Sequence, residues 1–169
     1  MSAIAHDLEE ETLVPLDLSE TKTLIKEEQT LDWQRFYEGE RDSLHIGYIK
    51  ESSTTWSWLP HRHRRVDIAM TRLRIGHVGL NEYLTKFNMA HDENCSHCNV
   101  PESVQHFLIY CGKYQDIRGK LRTSLRQLGV TSFTVKILLG GGDFTKDTQK
   151  QIMDVVGKFL LETGVIDNL

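Results

Sequence analysis

Apolar residues recur at helical spacing through most of the chain. Over 145–163, Ile152, Val155, Val156, Phe159 and Leu160 fall on one face, and Gly164 stands where the helix should stop. Tyr114, Ile117, Leu121, Leu125 and Leu128 repeat the pattern and end at Gly129; Lys113, Arg118, Lys120, Arg122 and Arg126 cover the outer side, as a solvated face or as phosphate contacts. Over 64–75, Val66, Ala69, Met70 and Leu73 form a buried stripe, with Arg65, Arg72 and Arg74 off it and Gly76 at its end. A shorter helix near 79–88 presents Leu80, Tyr83, Leu84 and Phe87. Further upstream, Ser19 is placed to cap a helix from Glu20 to Gly39. Its last turns carry Trp33, Phe36 and Tyr37, which reads as an arm that docks on a core by its end.

Other stretches are less regular. Leu44, Ile46 and Tyr48, then Trp56 and Trp58, alternate in a way that predicts a short β-hairpin over 43–58, turning at Ser52-Ser53. The two tryptophans serve either as packing anchors before Pro60 or, beside a basic run, as stacking platforms for bases. A short helix or turn over 132–139 leads to Gly140-Gly141-Gly142, which reads as a flexible connection because no G-x4-G-K-[ST] pattern accompanies it. The fold class is therefore mainly α: a small helical domain over 41–169, preceded by an acidic arm and linker helix over 1–40.

Charge sharpens that division. Residues 1–30 hold eight acids against Lys22 and Lys26, whereas HRHRRVDIAMTRLR at 61–74 has five arginines against Asp67. Arg62, Arg64, Arg65, Arg72 and Arg74 are thus the candidate nucleic-acid contacts. The acidic arm is a candidate cover for them. No apolar run is long enough to span a membrane, and MSAIAHDLEEE lacks the features of a signal peptide, so an intracellular location, nuclear or cytoplasmic, is expected.

The chemistry concentrates in CSHCNVPESVQHFLIYC, Cys95 to Cys111, which holds every cysteine of the chain. The spacing C-x2-C-x7-H-x4-C offers Cys95, Cys98, His106 and Cys111 as four ligands to one Zn²⁺, and three thiolates with one imidazole make a closed, structural set. Pro101 is placed as the first residue of the helix that carries His106, with Glu102 in its first turn. Buried free thiols, a disulfide that leaves one cysteine over, and a Cys–His nucleophile are the alternatives. His97 and His91 are competing ligands. Acids elsewhere are dispersed and no catalytic motif is present, so an enzyme is not expected.

Beyond the knuckle, the run RLRIGH at 72–77, the run from Glu102 to Cys111, the Tyr114–Arg118 spacing, LLGGG at 138–142 and the last helix occur in an order of their own. Together they resemble the carboxy-terminal region of non-LTR (LINE-type) retrotransposon reverse transcriptase and ribonuclease H polyproteins. The stretch from Leu18 to Tyr37 resembles the linker after the ribonuclease H domain. The resemblance implies a non-catalytic tail, detached from its catalytic domains, that binds the element's RNA or its target DNA and contacts no small-molecule substrate. The rival is a zinc-stabilised protein-interaction module, whose partner would be such a catalytic domain.

Overall fold

A computed structural model of the chain describes residues 17–53 and 61–169. Among these the chain is mainly helical and has no sheet; a lone antiparallel bridge joins Asn94 to Pro101. The expected hairpin does not form in its described part. Residues Arg41–Ser43 and His45–Tyr48 coil into two 3-10 turns instead. Short-range bonds from Gly47 N–H to the Leu44 carbonyl and from Ile49 N–H to the Ile46 carbonyl hold this coil, and Gly47 is pressed against the Arg41 backbone. Trp56, Trp58 and Pro60 lie outside the described residues.

Helix α1 (Leu18–Glu40) is started by Asp17 rather than Ser19. The Glu20 carboxylate accepts the Asp17 N–H at 3.1 Å, which satisfies a donor that a helix start leaves unpaired. No residue of α1 is buried. Its end does meet the rest of the chain, but through polar groups. Gln34 Oε1 accepts from the Ser53 N–H at 2.8 Å, and the Tyr37 hydroxyl donates to the Lys50 carbonyl at 2.7 Å. Trp33 and Phe36 stay outside, edge to face on one another.

The core is built on α2 (Arg64–Ile75), α4 (Gln115–Gln127) and α6 (Lys146–Thr163), with two short helices, α3 (Asn81–Thr85) and α5 (Val135–Leu138). α6 is the hub and packs against α4, α2 and α5. Ile152, Met153, Val156, Phe159 and Leu160 are its buried face. Each such side chain stabilises the fold by roughly 1.5–3 kcal/mol when fully buried. Thr145 caps α6 by accepting from the Thr148 N–H, and Gly164, at φ 68°, ends it.

The glycine run is not a loose connection. Gly140 and Gly141 are buried, and the Gly141 N–H donates to the Lys136 carbonyl at 2.7 Å. A Cβ on Gly141 would lie 2.5 Å from the Ile49 carbonyl oxygen and 3.0 Å from that of Lys136. Glycine is required there because two backbones pass too close for a side chain. No helix among the described residues is long and apolar enough to cross a membrane.

Candidate metal centre

Two local structures converge between α3 and α4. The first is the cysteine turn. The Cys95 N–H donates to the Val100 carbonyl at 2.8 Å and the Asn99 N–H to the Cys95 carbonyl at 2.8 Å, with Asn99 in the left-handed region at φ 55°. Asparagine tolerates that conformation better than most residues. Pro101 lies in the bridge to Asn94 that closes this turn, not at the first helical position. The Glu102 N–H is used the same way, donating to the Glu93 carbonyl at 2.8 Å.

The second is a short helix over 104–110. Ser103 starts it, its hydroxyl accepting the His106 N–H at 2.9 Å. Its last five residues, His106–Tyr110, are wound wider than an α-helix. The Cys111 N–H reaches back five residues to the His106 carbonyl at 2.7 Å. A histidine and a cysteine five apart therefore end up on the same side of one turn. Val104, Phe107 and Leu108 fix that turn to the core, Phe107 meeting Tyr114 edge to face at 5.4 Å and Phe159 at 5.9 Å.

The result brings together the four residues that the spacing singled out. One ligand atom from each of Cys95, Cys98, His106 and Cys111 lies within 4.8 Å of all the others. The Sγ atoms of Cys95 and Cys98 are 3.8 and 3.9 Å from that of Cys111. Cys95, His106 and Cys111 are buried and Cys98 is half-buried. All three cysteines are free thiols. His97 and His91 are exposed and outside this cluster.

The electrostatics separate the four candidate ligands. Burial pushes the Cys111 thiol up to about 12. A hydrogen bond from the Gly112 N–H, 3.3 Å from its sulfur, holds Cys98 below the usual thiol range. Burial pushes His106 down, which favours the neutral imidazole that a metal needs. His106 Nε2 is buried and makes no hydrogen bond.

One residue of this site was misread in the sequence. Arg118, assigned to the outer side of α4, is buried against the wide turn. Its Nε donates to the Leu108 carbonyl at 2.9 Å, Nη1 to Cys111 at 2.9 Å and Nη2 to Phe107 at 3.0 Å. Position 118 is four residues after Tyr114, three before Leu121 and seven before Leu125, all buried, so helical spacing puts it on the inner face; what that spacing does not signal is an arginine serving carbonyls upstream.

The five candidate nucleic-acid arginines divide. Arg62 and Arg64 are exposed at the start of α2. Arg65 is exposed but paired with Asp167, and Arg72 donates to the backbone oxygen of Leu169. Arg74 is inside the protein. It lies 4% exposed, with Nε donating to the Leu139 carbonyl at 2.7 Å, so it forms part of the core and not of a basic surface. Its spacing within α2 placed it off the buried stripe; the approach of α5 and α6 on that side encloses it.

Comparison with family models, with curated proteins and with solved structures finds no match to this chain.

Proposed function

We propose that the chain is a zinc-stabilised, non-catalytic module that binds RNA or DNA, and that it is the tail of a non-LTR retrotransposon protein. The observation that carries the zinc reading is the convergence of Cys95, Cys98, His106 and Cys111. A tetrahedral ion with Zn–S bonds of about 2.3 Å sets its sulfurs about 3.8 Å apart. The two sulfur separations at Cys111, 3.8 and 3.9 Å, fit that edge. His106 Nε2 is a buried donor atom with no other use, and such groups are rare without a partner. Four protein ligands leave no open position, so the role is folding and not catalysis. Structural zinc is worth about 10–16 kcal/mol of apparent binding energy in small peptides at neutral pH, as much as the whole stability of a typical domain.

The nucleic-acid reading rests on the exposed Arg62 and Arg64 and on the family resemblance. With Arg65 able to exchange Asp167 for phosphate, two to three contacts are available, and log affinity should fall against log salt with a slope of roughly −1.5 to −2.5. The protein-interaction reading has its own support. On α1, Leu24, Ile25, Leu31, Trp33 and Phe36 are each about half exposed or more. One experiment orders the two readings: metal analysis of the purified chain, then mobility shift with single-stranded RNA across a salt series, with and without chelator. We expect one zinc per chain and a salt-dependent shift that chelation abolishes. Zinc without any shift would leave the protein-interaction module; absence of zinc would dispose of the metal reading.

A further inference from the structure

We propose that Arg118 is a positioning residue of the metal centre, clamping the turn that presents His106 and Cys111 and balancing the charge of the occupied site. The inference rests on the metal reading above. Three observations carry it. The first is that the guanidinium is committed to one strand of backbone. Its three nitrogens donate to the carbonyls of Phe107, Leu108 and Cys111, the residues that flank or include the ligands of the wide turn. The last carbonyls of a helix lack intrahelical N–H partners, and the planar fork of an arginine can serve several of them at once; the Cys111 carbonyl also accepts the Tyr114 N–H at 3.3 Å.

The second observation is that this cation is buried, at 4% exposure, and no carboxylate among the described residues pairs with it. A buried charge of that kind is expensive unless something compensates it. Carbonyl dipoles at a helix end do so in part. The third is what lies next to it. A divalent ion held by three thiolates and a neutral imidazole carries one net negative charge. Cys111, whose carbonyl Arg118 grips, contributes one of those thiolates. The cation and the occupied centre are then mutual counter-charges in a low-dielectric interior, where such attraction is least screened. An outer group that fixes a ligand and tunes its charge commonly changes metal affinity about 10–100-fold when removed.

Charge and clamp are separable by substitution. Arg118→Met removes both; Arg118→Lys keeps the charge but not the three-way fork. Zinc affinity is measured by competition with a chromophoric chelator, starting from full-length, zinc-loaded protein. The same substitutions are repeated with Cys98→His, which makes the occupied centre neutral at its most exposed ligand. We expect Arg118→Met to weaken zinc binding about 10–100-fold and Arg118→Lys to weaken it less. The Arg118→Met penalty should shrink in the Cys98→His background, because a neutral centre needs no counter-charge. A helix-packing role alone would give the same penalty in both backgrounds. Equal penalties, or variants whose affinity is indistinguishable from the wild type, would overturn the proposal. Should Arg118→Met not fold, Arg118→Lys decides alone, since loss of the fork must still lower affinity. A wild-type chain that holds no zinc fails the metal reading; one that holds zinc indifferently to Arg118 fails this inference only.

Discussion

Arg62 and Arg74 belong to one basic run in the sequence and to opposite environments in the fold. Arg62 is exposed ahead of α2, while Arg74 sits under α5 and α6 with its Nε on the Leu139 carbonyl. Burial pulls the Arg74 guanidinium below its ordinary range, but it remains protonated at neutral pH. A buried cation is tolerable only while its donors are used. Arg74→Met should therefore cost about 1.5–3 kcal/mol, the usual worth of hydrogen bonds to a charged group. Arg62→Ala should stay within about 0.5 kcal/mol of the wild type, as surface changes do. Urea unfolding of the two variants compares them directly. Coincident midpoints would mean that the Arg74 bonds contribute nothing and that its burial is not structural.

At the scale of elements, what was legible in the sequence was what one-sided burial imposes. α2, α4 and α6 lie within a residue or two of where their apolar spacing put them, because each has one face against the core and one in water. The four clustered cysteine and histidine residues were legible for a related reason: ligand spacing is a local constraint. What was not legible depends on backbone meeting backbone at long range. The wide turn at His106–Tyr110 and its arginine involve carbonyls that residue patterns do not describe. The coiling of 43–48, read as part of a hairpin over 43–58, and the packing of Gly140-Gly141-Gly142, read as flexible, turn on where Arg41 and Ile49 pass. The glycine run offers a direct comparison. Gly141→Ala forces a methyl to 2.5 Å from the Ile49 carbonyl oxygen and should destabilise the fold by about 1–3 kcal/mol, in the range of overpacked cores. Gly119→Ala, within α4 and with nothing within 4 Å of the added carbon, should stabilise by about 0.5–1 kcal/mol through helix propensity. Thermal unfolding should move in opposite directions for the two. A Gly141→Ala chain melting with the wild type would show that the loop has room to yield.

For the whole molecule, the question is how far occupancy of the proposed metal site would reach. Cys95 and Cys111 belong to the same continuous apolar cluster as α2, α4 and α6. Phe107, one residue after His106, lies against Tyr114 at the entry to α4 and Phe159 in the second half of α6. If the proposed ion is bound there, its loss should therefore loosen more than the cysteine turn. α1 is different: none of its residues is buried, and Gln34 and Tyr37 attach it by a few polar contacts at its end. Helices without a packed face open easily, because their stability comes mostly from tertiary burial. Hydrogen exchange read by mass spectrometry resolves these segments. On chelation, peptides covering 104–128 and 150–163 should lose protection together. Peptides covering 18–33 should exchange fast with or without the metal. Retained protection in α6 after complete metal removal would confine the ion's influence to its own turn. Loss of protection in α1 along with the core would mean that the arm is coupled to the domain by more than Gln34 and Tyr37.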